Sequence, residues 1–124
     1  MNNEKHRILL VDDKMINLKV AALMLSSLGC SVEMAENGQE AYGKAVKESF
    51  DMIFMDIQMP VMNGIDSCNK IKEQLSYNSP PIIALTARSS QGEKEAILNS
   101  GLDGFLPKPV NRCDLEEMIN RYIG

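Results

Sequence analysis

The sequence predicts an α/β fold in which a parallel sheet is covered by helices on both faces, and three observations carry that reading. Short apolar runs recur along the chain, segments of helical length separate them, and Gly, Pro or Asn punctuates the joints. Apolar runs without polar alternation suit strands buried on both faces, which is where a parallel sheet places them. At 124 residues and 13.8 kDa, a single domain over residues 1–124 is expected, with five strands and five helices.

The elements follow in order. Arg7 to Val11 reads as the first strand, and Lys14 to Leu28 as a helix capped by Asp13 and stopped by Gly29. Ser31 to Ala35 is a second strand. Asn37 and Gly38 turn the chain into a helix over Gln39 to Lys47. Met52 to Asp56 is the third strand, Met59-Pro60 breaks into a loop, and Gly64 opens a helix to about Leu75. Pro80-Pro81 restarts the chain into a fourth strand, followed by a helix over Gln91 to Asn99 that Gly101 ends. A short strand at Gly104 to Leu106 leads through Lys108-Pro109 into a last helix, Cys113 to Tyr122.

Four of the strands end on groups that one phosphorylation chemistry could use. Ile8 to Val11 ends on Asp12 and Asp13, Met52 to Met55 on Asp56, Ile82 to Leu85 on Thr86, and Gly104 to Leu106 stops just short of Lys108. In an open parallel sheet these carboxyl ends share one edge, the edge where ligands bind. Carboxylates brought together repel by roughly 4 kcal/mol per pair at ~4 Å and an effective dielectric near 20, so the cluster calls for a cation. A small divalent metal answers that need. Asp13 also has a plainer role as a helix cap, and Thr86 or Lys108 alone would be unremarkable.

Composition narrows the function classes. Charged residues make up 24% and the net charge is -4, which argues against a disordered chain and against a nucleic-acid partner. Cys30, Cys68 and Cys113 are too widely spaced for a zinc site or a disulfide scaffold. No signal-peptide pattern opens the chain, and no apolar run approaches the ~18 residues of a membrane span. A reduced, cytoplasmic setting without membrane contact is expected. His6 has no second His or Cys nearby and reads as a solvated residue.

The stretches Leu10-Val11-Asp12-Asp13, Met55-Asp56-Ile57-Gln58-Met59-Pro60-Val61-Met62-Asn63-Gly64, Ala84-Leu85-Thr86-Ala87 and Leu106-Pro107-Lys108-Pro109 together resemble a response-regulator receiver domain over essentially the whole chain. The resemblance implies a flavodoxin-like, doubly wound five-stranded sheet. It implies Asp56 as the nucleophile that takes a phosphoryl group from phosphohistidine. Mg²⁺ would be held by Asp12, Asp13, Asp56 and the Gln58 carbonyl, with Lys108 and Thr86 contacting phosphoryl oxygens. It further implies a cis Lys108-Pro109 bond, and a switch in which Phe105 moves with Thr86. Phe105 has no hydroxyl, so that switch rests on packing. Gln58 and Arg88 stand two residues beyond Asp56 and Thr86, where the family tunes phosphate hydrolysis.

The segment Val11 to Val20, with Asn17, resembles receivers of hybrid sensor histidine kinases. The sequence stops one helix after Lys108, so the expectation is either such a receiver, in the cytoplasmic part of a membrane-bound kinase, or a free-standing regulator. The expected partner is a histidine kinase or a histidine-containing phosphotransfer domain, and the expected state a monomer or weak homodimer. On the first helix, Asn17, Val20, Ala21, Met24 and Leu28 are expected to face the sheet, and a second stripe of Met15, Leu18, Ala22 and Leu25 to face solvent as the docking surface. Two other classes use the same scaffold. An aspartyl phosphohydrolase typically carries a second acid where Gln58 stands, and a flavin mononucleotide site would set its phosphate against Asp12 and Asp13.

Overall fold

A computed structural model of the chain describes residues 6–57, 63–86, 95, 97 and 99–123. Its strands are β1 (Arg7–Val11), β2 (Ser31–Ala35), β3 (Met52–Asp56), β4 (Ile82–Thr86) and β5 (Gly104–Pro107). Its helices, among the described residues, are α1 (Met15–Ser27), α2 (Gly38–Lys47), α3 (Gly64–Leu75) and α4 (Arg112–Tyr122), with a 3₁₀ turn over Ser76–Asn78 that the sequence reading did not anticipate. The helix expected over Gln91 to Asn99 lies largely outside the described residues. Of it, Glu95, Ile97 and Asn99 are helical, and Ile97 is buried.

All strand pairs are parallel, in the order β2-β1-β3-β4-β5, the flavodoxin-like arrangement expected. Alternation along each strand sorts the core into two layers. Leu9, Val11, Ile53, Met55, Ile82 and Ala84 point to one face and pack against Ala41 and Ala45 of α2 and Cys68 and Ile71 of α3. Ile8, Leu10, Phe54, Ile83 and Leu85 point to the other and meet Leu18, Ala21 and Leu25 of α1 and Leu115, Met118 and Ile119 of α4. The sheet is therefore doubly wound. After β1 the chain crosses to β2 on one side, then returns to place β3 on the other, which makes the β1/β3 boundary the topological switch point.

Local chemistry fixes the helix ends. Asn37, Asn63 and Asn111 each accept a hydrogen bond from the backbone N–H three residues on, capping α2, α3 and α4. Gly29, at φ +89°, turns the chain after α1 in a conformation that disfavours a side chain. The expected Asp13 cap is absent: Lys14 occupies the N-cap position without a side-chain bond, and Asp12 Oδ1 instead accepts from Lys14 N at 2.9 Å.

The docking stripe expected on α1 is overturned. Leu18 and Leu25 are 1% and 0% exposed, locked between the sheet and α4, while Val20, expected to face the sheet, is 43% exposed. Met15 is exposed and Ala22 only partly so. The outward ridge is instead Ile16, Val20 and Leu23, at helical spacing. Among the described residues no helix is long and apolar enough to cross a membrane.

Candidate functional site

Three strand ends and one loop build a single crevice at the switch point. Asp12 leaves β1 with its N–H bonded to Ala35 O at 3.2 Å, and Asp56 closes β3. Both carboxylates are buried, at 2% exposure each, whereas Asp13 is exposed. One oxygen from each of Asp12, Asp13 and Asp56 can be chosen so that all three lie within 4.8 Å of one another.

Lys108 reaches into this cluster from the β5–α4 loop. Its Nζ lies 3.2 Å from Asp12 Oδ2 and 3.0 Å from Asp56 Oδ2. Burial works against the ammonium's charge, but the hydrogen bond and charge of Asp56, joined by those of Asp12, outweigh it and raise the lysine pKa above its ordinary value. The loop is set by a cis Lys108–Pro109 peptide, as expected, and by Lys108 N donating to Thr86 O at 2.8 Å.

Thr86 is buried at the end of β4, opposite Pro107, while Ala84 stands opposite Phe105. Thr86 and Phe105 are thus diagonal neighbours on one face of the sheet, close enough for movement of one to alter the packing of the other. Phe105 is half-buried against the α2–α3 layer.

Two supports were not legible as such in the sequence. Gly64, the first residue of α3, approaches the β3 end so closely that a Cβ there would stand 2.5 Å from Asp56 O and 2.6 Å from Ile57 Cα. Its N–H bonds to Ile57 O at 3.2 Å, so α3 is tied to the backbone that aims Asp56. Asn17 directs its side-chain amide at Asp12. A cavity of about 450 Å³ opens beside the cluster, lined by Asp12, Asn17 and Lys108 and by the apolar Val20, Leu85 and Val110. Gln58 and Arg88 lie outside the described residues, as does the loop at Met59-Pro60.

The donor set fits a hard cation. Octahedral coordination at ~2.0–2.1 Å separates ligand oxygens by roughly 3 to 4 Å, a span these carboxylates meet with little adjustment. Lys108 currently supplies the neutralising charge among them.

Comparison with known proteins agrees with this geometry. A family model described as response regulator receiver domain matches residues 8–120. The signal transduction histidine-protein kinase BarA of Escherichia coli is 36% identical over 115 residues, covering 93% of this chain and 12% of that protein. The present chain therefore spans about an eighth of that relative's length. The receiver domain of the sensor histidine kinase PA1611 from Pseudomonas aeruginosa, solved with magnesium in its active-site cleft, superposes with TM-score 0.89 at 37% identity, covering 98% of this chain and 99% of that one. A chain in the Saccharomyces cerevisiae co-crystal of the histidine phosphotransfer protein Ypd1 with the receiver domain of Ssk1 gives TM-score 0.89 at 34% identity, covering 95% of this chain and 88% of that one.

Proposed function

The chain belongs to the response regulator receiver domain family, and from that premise we propose that Asp56 is its phosphoacceptor, that Mg²⁺ is its cofactor, and that a phosphohistidine on a kinase or phosphotransfer domain is its donor. The observation that carries this reading is the buried Asp56 carboxylate, at the switch point, with oxygens of Asp12 and Asp13 within 4.8 Å and Lys108 Nζ at 3.0 Å. A nucleophile, an acidic metal cradle and a mobile point charge there meet the needs of phosphoryl capture.

In the transfer, an Asp56 oxygen bonds to phosphorus as the phosphorus–nitrogen bond of phosphohistidine breaks, and the imidazole departs. Asp12, Asp13 and Asp56 would hold Mg²⁺, joined by the Gln58 carbonyl that the family resemblance implies, and the metal would supply positive charge against the phosphoryl oxygens. Lys108 leaves its two carboxylates to pair with one phosphoryl oxygen, and the Thr86 hydroxyl donates to another. Withdrawal of Thr86 toward the phosphoryl group frees space on its face of the sheet, into which Phe105 repacks, passing the signal to the β5 side of the molecule.

The partner surface is the α1 ridge. Ile16, Val20 and Leu23 are 66%, 43% and 73% exposed, and Val20 also lines the cavity beside Lys108. An exposed apolar ridge beside a phosphoacceptor suits the helical bundle of a phosphotransfer domain, where apolar contact gives affinity and closeness to the crevice delivers the phosphohistidine. Kinase relatives such as BarA and the hybrid signal transduction histidine kinase G of Dictyostelium discoideum favour the receiver of a hybrid sensor kinase, with a free-standing regulator as the alternative.

Incubation with acetyl phosphate and Mg²⁺ should give one acid-stable, base-labile phosphate per chain, and Asp56→Asn should abolish it. Undiminished labelling of Asp56→Asn would assign the phosphate elsewhere.

A further inference from the structure

The Asp12 carboxylate is held by three groups. Its Oδ1 accepts from Lys14 N at 2.9 Å and its Oδ2 from Lys108 Nζ at 3.2 Å. The Asn17 amide spans both oxygens, with Nδ2 at 3.5 Å from Oδ1 and 3.3 Å from Oδ2. These donors differ in permanence. Lys108 is shared with Asp56 and follows the phosphoryl group when one arrives, and the backbone N–H touches only Oδ1. When Lys108 turns away, Asn17 is the side-chain donor that remains on Oδ2 among the contacts described.

The chemical type of Asn17 matters as much as its place. A Lys or Arg there would add a second cation and compete with a metal for the charge of Asp12. A neutral amide orients the carboxylate and leaves its charge available. The long contacts suit a resting state in which Lys108 still holds Oδ2, since donors of this kind commonly tighten only when the reacting complex forms.

We propose that Asn17 is a positioning residue that keeps the Asp12 carboxylate in its metal-binding orientation when Lys108 leaves it, a role resting on the Mg²⁺ reading above. It acts through Asp12, as hydrogen-bond partners of metal ligands generally do.

The test is Mg²⁺ affinity at fixed pH by titration calorimetry, measured for the parent, Asn17→Ala and Asn17→Gln, each also in a Lys108→Ala background. Asn17→Ala should weaken Mg²⁺ binding by about tenfold, the low end of what loss of such a partner costs. Asn17→Gln should restore most of it, because the amide is kept and the adjoining cavity has room for one more methylene. The loss should be larger with Lys108→Ala, and metal-free thermal midpoints of Asn17→Ala and Asn17→Gln should agree closely. A parent that binds no Mg²⁺ would overturn this proposal together with the metal reading. A parent that binds, with Asn17→Ala equal to it, would overturn this proposal alone. Equal losses in Asn17→Ala and Asn17→Gln would also overturn it, since the amide would then not be what counts.

Discussion

Lys108 Nζ stands 3.0 Å from Asp56 Oδ2, a contact between residues 52 apart in sequence that puts the cluster's cation on the proposed nucleophile. Because the same nitrogen also touches Asp12, the ammonium occupies the electrostatic place a metal would take. Phosphoryl capture on this geometry requires Lys108 to yield.

Removing that internal cation should therefore favour metal. Lys108→Ala is expected to raise Mg²⁺ affinity, on the order of tenfold or ~1.4 kcal/mol, while lowering stability without metal, because two buried carboxylates lose their paired charge. Calorimetric titration alongside urea denaturation with and without Mg²⁺ reads both effects. Weaker Mg²⁺ binding in Lys108→Ala would mean the lysine assists the metal instead of competing with it.

Alkaline pH should destabilise the fold through groups whose pKa is raised. Burial, opposed by Lys72 and aided by Asp103, pushes the fully buried Cys68 thiol from 9.0 up to about 11. The folded state thus holds a proton that the unfolded state releases. The associated stability is complete below pH ~9 and is lost as pH climbs toward ~11, on the order of 2 kcal/mol. Lys108, also raised, loses its contribution in the same direction but from 10.5 upward. Denaturation midpoints at pH 8 and pH 10.5 should differ in the parent and differ less in Cys68→Ala. In the native protein at neutral pH, Cys113 should react with a thiol reagent while Cys30 and Cys68 stay protected, since only Cys113 is exposed.

Gly64→Ala should damage the site from outside it. A Cβ placed 2.5 Å from Asp56 O cannot be absorbed by a flexible side chain, because both near contacts are backbone. Either α3 moves off the sheet or the Asp56 backbone shifts, at a cost of roughly 1–3 kcal/mol. The expected readouts are a lowered urea midpoint and slower labelling by acetyl phosphate. Parent-like values for both would show that α3 tolerates the displacement.

The strands and the gathering of Asp12, Asp13, Asp56 and Lys108 at their ends were legible because their signals are local and strong. An apolar run such as Met52 to Met55 has one stable use in a domain of this size, and an acidic residue at its end must emerge at the sheet edge. The faces of α1 were not legible. Its run from Met15 to Leu25 is apolar on nearly every side, so two stripes competed at equal spacing, and periodicity could not choose between them. Packing against the sheet and α4 chose instead, with Leu18 and Leu25 buried and Asn17 within reach of Asp12. Asp13 was misread as a cap for a related reason. Alternation turns Asp12 inward and Asp13 outward, and the helix starts one residue later than expected, with Lys14 at the N-cap and its N–H given to Asp12.

That outcome for α1 makes two of its residues opposite in their response to the same change. Leu18→Glu buries a charge among Leu10, Phe54 and Leu115 of one core layer and should unfold the domain or cost more than ~4 kcal/mol. Leu23→Glu falls on a position 73% exposed and should leave the urea midpoint within about 0.5 kcal/mol of the parent. Labelling of Leu23→Glu by acetyl phosphate, which needs no docking, should match the parent. Transfer from a phosphorylated histidine phosphotransfer domain should slow, because a charge on the ridge must be desolvated when the bundle seats against it. Ile16→Glu should reproduce that split between donors, being two helical turns away on the same ridge. If Leu23→Glu and Ile16→Glu both accepted phosphate from the protein donor at the parent rate, the α1 ridge would not be the docking surface.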